Sequence, residues 1–440
     1  MSDFSPKARP RQFRESGPSA FHALVYGYNT QEDDGRDLRR SHATRELLII
    51  SACLLAFLLH LVLERLRLVR AQGRVSLRIA VTGTRGKSGV TRLIAAVLRE
   101  SGARVVAKTT GSRPVFSLPD GTEEEIPRPG GASIREQVRV LNRAAGAGAD
   151  ALVVELMGVG REYLFAESRG ILRPGILALT NVRLDHLDEM GRRKEDIART
   201  LSASFPEGAA IYLPEEESFP VFEEAAGRLR SRLVPVKSGS DPAAELPYEE
   251  FEPNVRLALA ILESLGVDRD RALRGMGRAR PDFGSLRIWR ADYGTPPRPA
   301  VCVSAFAAND PESSAAVLSR IKKDFAASSN SLIGLLCLRE DRGDRTLQWI
   351  GAAEAGFFAE FERVAILGGP ARAVCRKLRK VLGQGIGKFY FFTNLRPEEL
   401  MREMVFSAKL EPVVIGLGNI VGPGESLIRH WEEVGTPHGR

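Results

Sequence analysis

The 440-residue chain has few cysteines, histidines and aromatic residues, and these scarcities exclude several classes of protein. Its four cysteines are scattered without metal-ligand spacing, which indicates reduced thiols and excludes a disulfide framework. The net charge is +8, yet no basic run is interleaved with aromatic residues. Nucleic-acid binding would therefore rest on charge alone and is not expected, whereas an acidic substrate or a membrane surface explains the charge equally well.

Charged residues are absent from one long stretch, Leu47 to Leu63. As a helix, this stretch would span about 26 Å, at the short end for crossing a bilayer. A signal peptide is disfavoured because 46 residues precede the stretch and no small-residue cleavage site follows. A buried core helix would rarely be apolar on every face. We therefore predict one transmembrane helix over 47–63, a flexible tail over 1–46 and a basic linker over 64–76.

Strand and helix patterns alternate after the linker, which predicts parallel sheets covered by helices. The first set of predicted strands is 77–82, 104–109, 150–156, 176–182 and 209–213, with helices at 87–100, 133–146, 193–204, 220–232 and 254–265. A second set of strands is predicted at 300–304, 331–337, 363–367 and 412–416. Two Pro/Gly-rich segments are predicted as a substrate-side loop (112–131) and a domain connector (291–299). The fold class is thus α/β, with a P-loop domain over 77–290 and a smaller Rossmann-like domain over 300–440.

The most informative motif follows the first predicted strand and reads Gly83-Thr-Arg-Gly-Lys-Ser88. A strand, a glycine-bearing loop and a helix in this order place backbone N–H groups and a helix dipole around an anion. Lys87 is expected to touch the outer phosphates of a nucleotide, and the Ser88 hydroxyl to ligate Mg²⁺. The alternative is a chance Gly-Lys-Ser at a strand end. Arginines flank both ends of the apolar stretch, so its orientation follows from this motif, because ATP is in the cytoplasm.

Polar residues also follow two later strands, where ligands bind in an open α/β sheet. Glu155 ends the third strand and is expected to hold Mg²⁺, with a salt bridge to a nearby arginine as the alternative. Asp185, His186 and Asp188 cluster after the fourth strand. Such a cluster suits contact with metal or phosphate, and the alternative is a helix cap beside a surface histidine.

These motifs resemble the Mur ligase superfamily, which forms amide bonds at the expense of ATP. The resemblance is closer to one branch, the ATP-dependent subunit of poly-γ-glutamate (capsule) synthase, and it covers roughly residues 45–430. The further motifs that carry it are Lys108-Thr-Thr-Gly111, Asp185-His-x-Asp-x-Met-Gly191, Pro281-Asp-x-Gly284, Phe306-Ala-Ala-Asn-Asp310, Asp341-Arg-x-Asp-Arg-Thr346 and Gly416-x-Gly-Asn-Ile420. Leu201 stands where many Mur ligases carry a carbamylated lysine, so that feature is not expected here.

The resemblance implies ATP and Mg²⁺ as cofactors and assigns roles to individual residues. It implies catalytic roles for Lys87, Glu155, His186 and Arg287, nucleotide contacts from Gly83, Thr84, Gly86, Lys87, Ser88, Asn309 and Asp310, and Mg²⁺ ligation by Ser88, Glu155 and His186. Arg287 would meet the terminal phosphate, with a structural salt bridge as the alternative. The charged loop 341–345 contacts substrate or forms an internal ion-pair network.

The function implied is a ligase that activates a glutamate carboxylate as an acyl phosphate and extends poly-γ-glutamate. Its expected partners are glutamate or the polymer, the membrane and other membrane subunits of an export complex. Its expected location is the cell membrane, single-pass, with the catalytic domains in the cytoplasm. The alternatives are a membrane-tethered P-loop ATPase without ligase chemistry and a folylpolyglutamate- or murein-type ligase.

Overall fold

The computed structural model describes most of the chain in nine ranges. These are residues 28–111, 114–128, 131–239, 241–282, 285–306, 308–325, 330–382, 388–392 and 396–438, with the backbone alone for 28–44 and 382. Residues 1–27 of the predicted tail, Gly284 and Ala307 lie outside the described residues.

A long helix, α1 (Tyr28–Arg74), begins inside the predicted tail and continues through the predicted linker. The most apolar window of its Arg45–Arg74 part has a mean hydropathy of 2.5, and none of that window is buried. Among the described residues it is the one helix that is long and apolar enough to cross a membrane, by length and composition alone. Residues Met1–Arg67 and Leu68–Arg440 form two separate compact units.

The second unit begins with what we call the N-terminal lobe, residues 68–282, which is built on an eight-stranded sheet. The strands are β1 (Leu77–Thr82), β2 (Val105–Thr109), β3 (Val115–Ser117), β4 (Glu123–Glu125), β5 (Ala151–Glu155), β6 (Ile176–Leu179), β7 (Ala210–Pro214) and β8 (Arg232–Val236). The helices are α2 (Lys87–Glu100), α3 (Glu136–Gly146), α4 (Arg161–Phe165), α5 (Leu187–Met190), α6 (Lys194–Leu201), α7 (Pro220–Arg228), α8 (Glu252–Ser264) and α9 (Arg269–Gly277). The strand order is β4-β3-β2-β5-β1-β6-β7-β8.

The C-terminal lobe, residues 285–438, carries a seven-stranded sheet of order β13-β12-β11-β14-β10-β9-β15. Its strands are β9 (Arg287–Tyr293), β10 (Arg298–Ser304), β11 (Asn330–Cys337), β12 (Arg363–Leu367), β13 (Phe389–Phe392), β14 (Glu411–Gly418) and β15 (Thr436–Pro437). Its helices are α10 (Pro311–Phe325), α11 (Gly343–Glu354), α12 (Ala371–Leu382), α13 (Pro397–Ser407) and α14 (Pro423–Val434). The α/β class predicted from the alternating patterns is thereby confirmed.

Burial explains why these segments form a doubly covered sheet. The central strand β1 is apolar and β-branched, and its last four residues are buried, as expected for a parallel strand covered on both faces. Helix α2 packs Val90, Leu93, Ile94 and Val97 against it, at a spacing that places these residues on one helical face. The end of α1 contributes Leu68 and Ala71 to the opposite layer.

Both Pro/Gly-rich segments differ from their predicted form. The segment predicted as a loop over 112–131 contains β3 and β4, a short antiparallel extension of the first sheet. The segment predicted as a connector over 291–299 contains the turn between β9 and β10, which pair antiparallel. Both of these strands belong to the second sheet. The prolines and glycines cluster at the turn between them, so the flanking residues are free to pair as strands.

Candidate active site

The phosphate loop lies where ligand sites occur in open α/β sheets. Strand β1 stands between β5 and β6, and the strand order reverses around it. The loops that follow these three strands line a cavity of about 730 Å³, together with residues of the C-terminal lobe. The ends of these three strands therefore lie together at one cavity.

Two glycines allow the phosphate loop to pass close to its neighbours. Gly83 has φ +122° and Gly86 has φ +79°, both in the region that side chains disfavour. A Cβ atom on Gly83 would collide with the Thr180 side chain, and one on Gly86 would collide with the Asn254 side chain. Glycine is thus required at both positions by backbone conformation and by space.

Lys87 and Ser88 begin helix α2 and face the end of β5. The Lys87 Nζ donates to the Gly83 carbonyl oxygen at 2.8 Å, which holds the ammonium across the loop. The Ser88 hydroxyl donates to Glu155 Oε2 at 2.7 Å, and the Thr110 amide donates to the same oxygen at 2.7 Å. Glu155 is 3 % exposed. These contacts bring together three residues that the sequence predicts at one site.

The segment after β6 supports the loop from the other side. Asn181 Oδ1 accepts hydrogen bonds from the Thr84 hydroxyl at 2.8 Å and from the Arg85 amide at 3.0 Å. Its Nδ2 donates to the Arg85 carbonyl at 3.1 Å. The Thr84 hydroxyl in turn accepts from the Arg183 amide at 2.8 Å. One asparagine side chain therefore fixes the central residues of the loop.

Arg85 connects the phosphate loop to both sides of the cavity. Its guanidinium contacts Asp185 Oδ2 at 3.0 Å and Asp310 Oδ2 at 3.0 Å, and it also donates to the Asn309 side chain. Arg345, at the start of α11, contacts the same Asp185 and Asn309 side chains. Asp185 is 3 % exposed and Arg345 is 1 % exposed, so this pair is almost completely removed from water, whereas the Arg85 side chain is 19 % exposed.

Burial and charge act in opposite directions on Asp185. Burial alone would raise its pKa, but the positive charges of Arg85 and Arg345 outweigh burial and hold the pKa far below the usual range. Asp185 therefore stays ionised. Arg342 adds a third guanidinium at 3.4 Å. The charged loop 341–345 thus takes part in an internal ion-pair network, and its Arg342 and Arg345 also line the cavity.

His186 has a strained backbone next to this cluster. Its φ of 47° and ψ of 52° are unusual for a residue other than glycine, and its amide donates to Asp185 Oδ1 at 2.8 Å. Burial lowers the pKa of His186, and Arg342 and Lys87 lower it further, against the opposing effect of Asp185. The imidazole is therefore neutral near pH 7, which is the form that ligates a metal.

Arg287 is one of two predicted site residues that are not among the described residues lining the cavity. It begins β9, forms an ion pair with Glu432 of α14 and lies over the Trp289 ring at 5.0 Å. It is not among the described residues that line the 730 Å³ cavity. Asp310 also lies behind the cavity wall, where its Oδ1 caps α10 by accepting from the Ser313 amide at 2.9 Å.

Several residues of the cavity were not predicted from the sequence. Arg85 lies inside the phosphate-loop motif but received no role, and Asn181, two residues beyond the end of β6, was not singled out. The charge pattern of the loop 341–345 pointed to Arg345, but it did not indicate which residue Arg345 pairs with. Glu250 and Asn254 press against the loop from the start of α8, bonded to each other at 3.0 Å, and no motif marked them.

The donor set at the cavity suits a magnesium ion that is held jointly with phosphate. Among the described residues there is no group of three His, Cys, Asp or Glu side chains that could hold a metal alone. Mg²⁺ in nucleotide sites takes one or two protein oxygens and completes its shell with phosphate and water. The Ser88 hydroxyl and Glu155 carboxylate, already 2.7 Å apart, fit that role.

Two protein-family models match this chain, one within each lobe. Residues 81–246 match the Mur ligase middle domain, and residues 291–434 match the poly-gamma-glutamate synthase CapB C-terminal domain. The capsule biosynthesis protein CapB of Bacillus anthracis is 31% identical over 390 residues, which cover 87% of this chain and 82% of the relative. The PGA synthase CapB of Bacillus subtilis is 29% identical over 394 residues, which cover 88% of this chain and 98% of the relative.

Solved structures show the same fold at low sequence identity. FolC of E. coli in complex with ADP has a TM-score of 0.62 at 18% identity, over 84% of this chain and 93% of that one. A folylpolyglutamate synthase/dihydrofolate synthase of Yersinia pestis, complexed with AMPPNP and Mn, has a TM-score of 0.61 at 17% identity, over 83% and 92% of the two chains.

Proposed function

The chain belongs to the CapB family of poly-γ-glutamate synthases, within the Mur ligase superfamily, and from that premise we propose that it extends poly-γ-glutamate by ATP-dependent amide ligation. The observation that carries the proposal is the cavity in which the phosphate loop faces Asn309 and Arg345 of the C-terminal lobe. Nucleotide and acid substrate can meet there, since both lobes contribute polar side chains to one space.

The reaction consists of two transfers. A glutamate carboxylate oxygen attacks the γ-phosphorus of ATP, which forms an acyl phosphate and releases ADP. An amine nitrogen then attacks the acyl carbon, which forms the amide bond and releases inorganic phosphate together with the amine proton. The first transfer supplies the driving force, because direct condensation of a carboxylate with an amine is uphill in water.

Positioning and charge stabilisation are the contributions of this chain. The backbone amides of the phosphate loop and the Lys87 ammonium would bind the β- and γ-phosphates and offset their developing charge. Gly83 and Gly86 let that backbone approach the phosphates closely. Asn181 and Arg85 fix the loop before ATP arrives, so little reorganisation accompanies binding.

Ser88 and Glu155 would hold Mg²⁺, with His186 as the third candidate ligand. The ion supplies charge neutralisation at the phosphates and at the attacking carboxylate. The residues fit this role because a buried carboxylate and a hydroxyl already share one hydrogen bond at the end of the loop. Burial lowers the pKa of His186, which keeps the ring neutral at neutral pH with one of its two nitrogens free of a proton.

We further propose that residues 47–63 cross the cell membrane and that the catalytic lobes lie in the cytoplasm with ATP. Exposed leucines, isoleucines and a phenylalanine along this part of α1 support the proposal. A single span forms no conduit for a polymer, so export requires other membrane subunits. Glutamate or the chain end of the polymer is the proposed acid substrate.

The test is ATP turnover by detergent-solubilised full-length protein with Mg²⁺, with and without glutamate or short poly-γ-glutamate. Hydroxylamine is added to trap acyl phosphate as a hydroxamate, and Lys87→Ala is the blank. We expect glutamate-dependent ADP release together with the hydroxamate. Hydrolysis that ignores glutamate and yields no hydroxamate would instead indicate a tethered ATPase or a different acid substrate.

A further inference from the structure

A second cavity, of about 360 Å³, lies beside α2 and beneath the edge strands β3 and β4. Alanines of α2 and β2 form part of its lining, and four arginines line it as well: Arg92, Arg99, Arg278 and Arg280. These arginines outnumber the three acidic lining residues, Glu100, Asp120 and Glu123. The described lining therefore has an excess of one positive charge, and two of its arginines are paired within it, Arg92 with Glu123 and Arg278 with Glu100.

Two polar atoms in the wall are buried and make no hydrogen bond with the part of the chain that the structure describes. Thr109 is 3 % exposed, and its hydroxyl has no hydrogen-bond partner among the described residues. Arg92 Nε is likewise buried and makes no hydrogen bond among the described residues, although it lies 3.7 Å from Asp282 Oδ1 and a terminal nitrogen of the same guanidinium pairs with Glu123. A buried donor without a partner costs about 1–3 kcal/mol, so its presence calls for a ligand that accepts hydrogen bonds.

Arg99 is held in place as a donor. Its Nε and one terminal nitrogen both donate to the Val105 carbonyl at 3.2 Å, and that terminal nitrogen also donates to the Ser117 hydroxyl at 2.7 Å. The guanidinium fork is thus oriented by the backbone of β2 and by β3. These bonds use Nε and that terminal nitrogen, so among the described contacts the other terminal nitrogen is the one left to donate to a carboxylate oxygen.

The second cavity adjoins the active-site cavity at two points. Thr109 lines the second cavity, and the next residue, Thr110, lines the active-site cavity and donates its amide to Glu155. Asp282 lines the active-site cavity and lies 3.7 Å from Arg92. The two cavities therefore adjoin at the end of β2 and beside Arg92, next to Glu155 of the active-site cavity.

We propose that the second cavity is a subsite for the acidic chain, binding carboxylates of the glutamyl residues that precede the reacting end. The proposal rests on the proposed ligase function and adds the place where the polymer is recognised. Arg92, Arg99, Arg278 and Arg280 supply the charge, and the Thr109 hydroxyl supplies a neutral donor. Free glutamate is too short to occupy both cavities, so the subsite favours the polymer over the monomer.

The experiment measures binding of a fluorescently labelled γ-glutamyl pentamer to the full-length protein in detergent, with AMPPNP present. The test variants are the double variant Arg278→Ala/Arg280→Ala and the single variant Thr109→Val. Arg274→Ala, an exposed arginine on α9 outside the described lining of the cavity, is the matched control. Thermal melting of each variant shows that it is folded.

We expect the double variant to raise the Kd of the pentamer about tenfold and Thr109→Val to raise it about fivefold, while Arg274→Ala matches wild type. In turnover assays, the ratio of kcat/KM for pentamer to kcat/KM for glutamate falls by a similar factor. An unchanged pentamer Kd in both test variants overturns the subsite. So does equal binding of unrelated polyanions such as heparin, which would indicate a general anionic surface.

Failure of the proposed function gives a different result. In that case the wild-type protein forms no hydroxamate with glutamate or pentamer, whatever the binding assay shows. Loss of pentamer binding in the variants of a protein that also forms no hydroxamate would retain the subsite and reject the ligase. Hydroxamate formation with unaltered pentamer binding would retain the ligase and reject the subsite.

Discussion

Arg85 of the phosphate loop and Asp310 of the C-terminal lobe are joined by an ion pair of 3.0 Å. The same guanidinium contacts Asp185 at 3.0 Å, so one side chain of the loop connects the segment after β6 with the start of α10. The nucleotide-binding loop is therefore mechanically linked to the opposite lobe. A change in the distance between the lobes must either move the loop or break this ion pair.

Arg85→Met should reduce both stability and catalysis. The substitution leaves Asp310 and part of Asp185 without their buried partner, and breaking a buried pair in this way costs about 3 kcal/mol. We expect a clear fall in Tm and a lower kcat, because the loop loses its fixed position. Arg85→Lys should restore stability in part, since it keeps the charge without the forked geometry.

Arg104→Met is the matched control for this change. Arg104 pairs with Asp150 at 3.1 Å, but both side chains are at least half exposed. Exposed pairs contribute little to stability because water and salt screen them, so Tm and kcat should stay near wild type. Equal effects of the two substitutions would show that Arg85 does not link the lobes in solution.

Glu155→Gln and Ser88→Ala should each raise the Mg²⁺ concentration needed for half-maximal ATP turnover. The first change removes the charge at the end of β5, and the second removes the hydroxyl that donates to it at 2.7 Å. Loss of one charged oxygen ligand should weaken Mg²⁺ binding about tenfold or more. A magnesium titration at saturating ATP checks this, with Mn²⁺ binding followed by electron paramagnetic resonance as a readout independent of turnover.

Parallel strands and the phosphate loop were predictable because their signals are local. β1 and α2 have the predicted bounds, Leu77–Thr82 and Lys87–Glu100, since an apolar run, a glycine pair and an amphipathic period mark them directly. The meeting of Lys87, Ser88 and Glu155 followed from the general placement of ligands at the carboxyl ends of parallel strands. Local sequence thus determined this half of the site.

Contacts between the lobes were not predictable from local patterns. Arg345 and Asp185 are 160 positions apart in the chain, and nothing in either motif names the other as its partner. Arg287 is the opposite case. The resemblance predicted that it contacts the terminal phosphate, whereas in the folded protein it forms an ion pair with Glu432. β9 was missed because its charged and apolar residues alternate beside a Pro/Gly cluster, a pattern that also suits a connector.

Arg345→Lys and Arg287→Lys should therefore differ in their effects. Arg345 is buried at the cavity beside Asp185, so replacing its fork by an ammonium should lower kcat/KM for ATP about a hundredfold. Arg287→Lys keeps a cation near Glu432, away from the cavity, and should change kcat/KM by less than about threefold. Steady-state kinetics on both variants measure this difference, and the opposite order would return Arg287 to the terminal phosphate.

Acid should weaken the folded protein through Asp185. Its folded-state pKa lies far below the unfolded value of about 3.9, so ionised Asp185 stabilises the fold above that value. This stabilisation is lost as the pH falls from about 4–5 toward the folded pKa. The stability advantage of wild type over Asp185→Asn should therefore be constant near neutral pH and shrink below about pH 4. Chemical unfolding at a series of pH values measures it, with Asp270→Asn on α9 as an exposed control.

The apolar part of α1 predicts how the full-length protein fractionates. Leu54, Leu55 and Leu58 are exposed on α1, and we expect the wild-type protein to stay with membranes after carbonate extraction. A central arginine costs about 2.5–3.5 kcal/mol of insertion, so Leu54→Arg/Leu58→Arg should shift much of the protein to the soluble fraction. Leu347→Arg is a matched control, because Leu347 is also exposed but lies on α11. If carbonate releases the wild-type protein, the Leu54→Arg/Leu58→Arg variant and the Leu347→Arg control from membranes to the same extent, α1 is not an anchor. Another explanation is then needed for a run of apolar side chains in contact with water.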